Sequence, residues 1–275
     1  MYLGAAVAVL LFEQLTPSGV AWLRMLGAAL VLLAWRRPGR AAWRGRRLLL
    51  AGAFGLATAL MNVAFYEAIA RLPLGTAVAI EFCGPVAVAA FGSRTLRDGA
   101  ALLLAAAGVV LIADVQLAGS PAGFVLALVA AALWAAYILL GKRVALGGKG
   151  LDDMTVGFVV AALLLTPLAA GTGAAWGSPT LLLLGVAVGV LSTVVPYALD
   201  QIVLRRVGQA RFALLLALLP ATASMVGLLV LAQVPRPLEA IGIGAVVAAV
   251  AGAATVGRPP AGGAQQVGCE HRRSR

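Results

Sequence analysis

The sequence predicts an all-α membrane protein of ten transmembrane helices forming one membrane domain, and three observations carry that expectation. The chain of 275 residues is 62% hydrophobic and only 11% charged, with a mean hydropathy of +1.01, far from the composition of a soluble domain. Apolar runs of about 20 residues, the length that crosses a bilayer, recur from end to end. The polar segments between them are too short to be a soluble domain of their own.

Taken in order, the expected spans are 2–12, 19–35, 48–70, 73–92, 98–117, 121–140, 154–170, 180–200, 211–232 and 238–256. Proline, glycine and charge separate them. Arg36-Arg-Pro-Gly39 closes the second span and Ser93-Arg94 the fourth. Gly119-Ser-Pro121, Gly171-Thr-Gly173, Gly177-Ser-Pro179 and Pro235-Arg-Pro237 punctuate the rest. The first span is the exception: Met1 to Phe12 reaches roughly 18 Å as a helix, against a hydrocarbon core of about 30 Å. A native start upstream of Met1 is the preferred explanation, with a partial helix as the alternative. A cleavable signal peptide lacks the basic leading region and the cleavage site it needs.

Orientation follows from the basic residues, which cytoplasmic loops retain. With the amino terminus inside, the cytoplasmic loops and tail hold Arg36, Arg37, Arg40, Arg44, Arg46, Arg47, Arg94, Arg97, Lys142, Arg143, Lys149, Arg205, Arg206, Arg211, Arg258, Arg272, Arg273 and Arg275. Of the 21 basic residues, only Arg71 and Arg236 fall outside and Arg24 within a span. Both termini are therefore expected in the cytoplasm, at a cell membrane.

The net charge of +11 does not imply nucleic acid, because the basic residues form no face or aromatic-laced patch. The basic tail, 257–275, has a disordered composition and suits anionic lipid. Cys83 lies in an apolar run, while Cys269 and the single His271 lie in the tail, which argues against a disulfide or a His/Cys metal site. No cofactor motif is present. Neither paired catalytic carboxylates, HExxH-like spacing nor a nucleophile with its base is found, so an enzyme is not expected.

Two segments match in outline: Leu72-Pro73-Leu-Gly-Thr-Ala-Val-Ala-Ile-Glu81-Phe-Cys-Gly84-Pro85 and Val207-Gly208-Gln-Ala-Arg-Phe-Ala-Leu-Leu-Leu-Ala-Leu-Leu219-Pro220, preceded by Arg71 and Arg206. One offset of 135 residues relates all the landmarks. Residues 1–117 and 121–256 are accordingly expected as two five-helix halves. An odd number of spans per half inverts the second relative to the first, the construction of alternating-access carriers.

Polar residues inside the spans mark the candidate path. Glu81 sits about 12 Å deep by helical rise, and Arg24 about 8 Å deep. A charge at such depth is costly and calls for a partner, a cavity or a substrate. Pairing across helices would lower the cost of both. The plainer alternatives are that Arg24 snorkels to the headgroups and Glu81 is a neutral packing residue. In the third span Thr58, Asn62 and Tyr66 fall on one helix face, with Glu67 near the outer end. In the eighth, Thr193, Tyr197 and Asp200 form a second stripe beside Ser192 and Pro196, which frees a backbone carbonyl. Interhelical hydrogen bonding is the plain alternative for each stripe, and an interfacial salt bridge for Asp200. Trp134 and Tyr137 line a cavity or pack in the sixth span. Gly185-Val-Ala-Val-Gly189 is a candidate close contact between helices, or between two chains in a homodimer.

The motifs Gly19-Val-Ala-Trp-Leu-Arg24-Met, Pro73-Leu-Gly-Thr-Ala-Val-Ala-Ile-Glu81-Phe-Cys-Gly-Pro-Val-Ala-Val-Ala, Trp134-Ala-Ala-Tyr-Ile-Leu-Leu-Gly-Lys-Arg143 and Leu191-Ser-Thr-Val-Val-Pro-Tyr-Ala-Leu-Asp200 resemble the threonine/homoserine exporters of the EamA branch of the drug/metabolite transporter superfamily. The likeness runs from about residue 4 to 256. It implies ten helices in two inverted repeats and efflux of small amino acids driven by proton exchange. The chain departs from the family in its short first helix, in Gln233 where the second repeat often has Gly-Glu, and in Asp200 where that subgroup carries a glutamate. The rival expectations are a carrier of another metabolite or drug and a membrane receptor or scaffold.

Overall fold

The computed structural model describes residues 2–93, 96–146, 150–194, 196 and 219–254, and every regular element among them is helical. Helix starts follow local chemistry. Thr16 accepts from the Gly19 N–H at 3.1 Å ahead of Pro17, and Ser178 accepts from Leu181 at 3.4 Å ahead of Pro179. Each is a capping side chain followed by a proline whose missing N–H is not needed there.

The elements are α1 (Tyr2–Leu11), α2 (Pro17–Arg36), α3 (Gly45–Ile69), α4 (Leu74–Glu81), α5 (Cys83–Ser93), α6 (Leu96–Gly119), α7 (Pro121–Leu146), α8 (Gly150–Leu164), α9 (Gly173–Trp176), α10 (Pro179–Gly189), α11 (Leu219–Leu231) and α12 (Pro237–Ala254). Short 3-10 segments cover Arg40–Trp43 and Thr166–Thr172, and a π-helical turn, Val190–Val194, continues α10. Among the described residues, Pro17–Arg36, Gly45–Ile69 and Pro121–Val144 are each long and apolar enough to cross a bilayer unaided. These coincide with the second, third and sixth expected spans, and the molecule is a membrane protein.

Other expected spans are interrupted where the sequence has proline. The run 73–92 breaks at Phe82 into α4 and α5, because Pro85 has no N–H to return to the carbonyl of Glu81 four residues back. The run 154–170 ends at Leu164 and bends by 65° into the following element. Pro167 leaves the Leu163 carbonyl without its donor, and the Thr166 hydroxyl replaces it at 2.8 Å while also reaching the Ala162 carbonyl at 3.1 Å. The start of the ninth expected span, Tyr197, Asp200, Arg205 and Arg206, and the tail 257–275 lie outside the described residues.

Packing interleaves early and late helices. α3 packs on α7 and α8, α2 on α8 and α10, α4 on α11 and α7, α6 on α12, and α1 on α10 and α11. Small residues permit the closest approaches: a Cβ placed on Gly55 of α3 would stand 2.0 Å from the Gly157 carbonyl oxygen of α8. Gly185 and Gly189 serve the same purpose inside the chain, since a Cβ there would meet Leu23 at 3.0 Å and the Arg24 carbonyl at 2.4 Å. The main core runs through Tyr66, Ile80, Phe82 and Val188, with a second cluster around Phe54 and Phe158. The arginine-rich face is tied by ion pairs: Arg36 to Asp152 at 3.0 Å, and Arg47 to the buried Asp153.

Candidate functional site

The polar centre of the bundle is built where α2, α3 and the π-helical end of α10 meet. Arg24, on α2, is only 5% exposed, so snorkelling to the headgroups is not its conformation. Its Nε donates to Thr193 Oγ1 at 3.0 Å, its Nη2 to the Ser192 carbonyl at 3.0 Å, and its Nη1 more loosely to the Tyr66 hydroxyl at 3.4 Å. The guanidinium also lies 5.5 Å from the centre of the Tyr66 ring. Such a fork suits a buried cation, which is tolerated when its donors are satisfied.

The approach of Arg24 to the Ser192 carbonyl has a cause legible in the chain. Pro196 cannot donate to the carbonyl four residues before it, and the π-turn at Val190–Val194, a distortion frequent at functional sites, turns this stretch toward α2. α1 closes over it from the other side: a Cβ on Gly4 would meet the Ser192 hydroxyl at 2.0 Å. Phe12 meets Tyr66 edge-on at 5.9 Å.

Glu81 closes α4 and is 5% exposed. Among the described residues no direct ion pair joins it to Arg24, whose guanidinium is taken by Ser192 and Thr193. The expected contact pair is thus a separated one. The next residue, Phe82, meets Trp134 of α7 edge-on at 4.7 Å, and Tyr137, one helical turn further, lies 5.0 Å from Phe54. Both aromatics are half-buried and packed.

The α3 stripe divides. Tyr66 joins the Arg24 cluster, whereas the Thr58 hydroxyl donates to the Phe54 carbonyl at 2.8 Å and the Asn62 amide to the Thr58 carbonyl at 2.7 Å, within their own helix. Glu67 stands apart, accepting from the Ser18 N–H at the start of α2 at 3.1 Å and pairing with Arg71 at 2.6 Å. Tyr197 is outside the described residues. Two buried carboxylates were not singled out from the sequence: Asp153 and Glu239, 5% and 2% exposed. Each sits in the first turn of a helix, where the helix dipole favours an anion, and that position was the available cue.

Known proteins share this chain's pattern. Residues 121–255 match the EamA-like transporter family. The threonine/homoserine exporter RhtA of Escherichia coli strain K12 is 35% identical over 257 residues, covering 90% of this chain and 85% of that protein. The threonine/homoserine exporter RhtA of Salmonella typhimurium strain LT2 is 36% identical over 266 residues, covering 94% and 88%. A crystal structure with 19% sequence identity superposes at a TM-score of 0.55 over 92% of this chain and 94% of its own, which shows a common fold.

Proposed function

Because this chain belongs to the EamA-like transporter family, alongside the threonine/homoserine exporters, we propose that it exports threonine, homoserine or related small amino acids, by secondary-active alternating access with the proton as coupling ion. Ten spans in two inverted halves, 1–117 and 121–256, carry the movement. Support comes from the helix contacts. If the second half repeats the first, α7 corresponds to α1, α8 to α2, α10 to α3, α11 to α4–α5 and α12 to α6. The pairs α3·α7 and α4·α7 then have as counterparts α10·α1 and α11·α1, and α3·α8 has α10·α2, all of which are in contact. In the proposed orientation both termini, the Arg36–Asp152 pair and the Arg47–Asp153 pair face the cytoplasm of the cell membrane, and Glu67 with Arg71 marks the outer rim.

The single observation that carries the site is the buried Arg24 fork, because it joins the first half to the freed carbonyl of the second. In this reading the cation between the two halves holds a substrate carboxylate, and the separated Glu81 takes and releases a proton as the halves rock. Both are buried, and alternating access shuts such groups off from water between openings. Trp134, Tyr137, Tyr66, Thr58, Asn62, Thr193 and Tyr197 line the path in this reading.

The test is efflux from cells loaded with threonine or homoserine, with growth at inhibitory homoserine as the second readout. Overexpression is expected to raise both efflux and resistance. Unchanged efflux and resistance would favour a carrier of a different metabolite.

A further inference from the structure

A pocket at the start of α4 is lined by none of the residues of the Arg24 cluster. It is lined by Pro73, Gly75 and Thr76 on one side and by Ser224, Gly227 and Gln233 of α11 and the loop after it. The first N–H groups of a helix have no acceptor inside it. Here the Leu74 N–H donates to Gln233 Oε1 at 2.8 Å, and the Ala77 N–H returns to the Pro73 carbonyl at 3.0 Å. For the Gly75 and Thr76 amides between them no acceptor is found among the described residues, and they stand at the positive end of the helix dipole.

An independent observation points the same way. Thr76 is fully buried, and among the described residues its hydroxyl has no hydrogen-bond partner. A threonine within a helix commonly turns its hydroxyl back to the carbonyl one turn earlier, as Thr58 and Thr155 do at 2.8 Å each. Thr76 does not, and a buried polar group without a partner calls for an explanation such as a ligand that meets it. The backbones around the pocket are kept bare: a Cβ on Gly75 would stand 2.3 Å from Ser224 Oγ, and one on Gly227 3.1 Å from Gln233 Oε1. Ala232, with φ at 53°, bends the chain so that the Gln233 N–H reaches the Gly227 carbonyl at 3.0 Å and its side chain reaches α4.

We propose that this pocket is a second subsite, at the outer end of the path, in which the Gly75 and Thr76 amides and the Thr76 hydroxyl receive the carboxylate of the departing amino acid while Gln233 swings off Leu74. The proposal rests on the export reading above, and the rocking of α4 against α11 opens the subsite.

The test uses the full chain in proteoliposomes, with radiolabelled threonine in counterflow measured from each side. Thr76→Val removes the hydroxyl and keeps the shape, so its abundance and melting temperature are expected to match the wild type or exceed it. Its half-saturating threonine concentration on the outer side is expected to rise about tenfold, the scale of one hydrogen bond to a charged group, with the inner value unchanged. Thr76→Ser is expected to behave as wild type. Threoninol, which lacks the carboxylate, is expected to compete weakly and equally with both proteins. An outer value within twofold of wild type, a lowered melting temperature for Thr76→Val, failure of Thr76→Ser alongside it, or strong competition by threoninol overturns the subsite. Absence of any threonine flux through the wild type removes instead the export reading beneath it.

Discussion

The bond between Arg24 and Thr193 gives the sharpest energetic prediction. Both residues are buried, at 5% and 2% exposure, and the donor and acceptor stand 3.0 Å apart. A hydrogen bond to a charged group is worth about 1.5–3 kcal/mol in water-soluble proteins, but double-mutant cycles inside membranes average about 0.6 and reach about 1.7 kcal/mol. Burial and good length put this one near the upper membrane value, so a coupling of about 1–2 kcal/mol is expected. Thr193→Val leaves a buried guanidinium N–H unpaired and is expected to destabilise by about 1–3 kcal/mol. Arg24→Met removes the buried cation but takes the donor from the Thr193 hydroxyl and the Ser192 carbonyl, and is expected to destabilise by about 1–3 kcal/mol while abolishing flux. The double variant is then no less stable than Arg24→Met alone. The assay is equilibrium unfolding of the purified protein in mixed micelles for the four members of the cycle. Additivity within about 0.3 kcal/mol, the behaviour of independent sites, would refute the contact.

Gly55→Ala drives a methyl group into the Gly157 carbonyl, which a Cβ would approach to 2.0 Å; since both sides are backbone, a loss of at least about 1–3 kcal/mol is expected, read as a lower melting temperature. The two ion pairs of the arginine-rich face should differ. Asp152→Asn breaks a partly exposed pair with Arg36 and is expected to cost under about 1 kcal/mol. Asp153→Asn weakens the partner of Arg47, one of whose guanidinium nitrogens is already buried without a bond, and is expected to cost about 1–3 kcal/mol; equal melting temperatures for the two variants would contradict this.

The parts of the fold that the sequence made legible are those where one apolar run is one helix. α2, α3 and α7 run as single helices through the expected second, third and sixth spans because their interiors lack proline. The misjudged interiors contain it: Pro85 and Pro167 each remove a ladder bond, yet hydropathy windows read straight through both. In the site, depth pairs Arg24 with Glu81 and spacing puts Tyr66 and Thr193 in two separate stripes; that Arg24 instead meets Tyr66 and Thr193 is seen only in the fold. That Thr58 and Asn62 also bond within their own helix is a choice that periodicity does not register. The Arg24 partner was half legible. Pro196 signals a freed carbonyl, but that the carbonyl is Ser192 facing α2, and that it displaces Glu81 as the direct partner, depends on how the two helices cross.

Threonine flux through proteoliposomes driven by an imposed pH gradient, with wild type and Glu81→Gln reconstituted at equal density, decides whether the buried Glu81 carboxyl couples proton movement to amino-acid export. The expected result is gradient-driven flux in the wild type and none in Glu81→Gln. Gradient-driven flux of equal size in both would contradict the account.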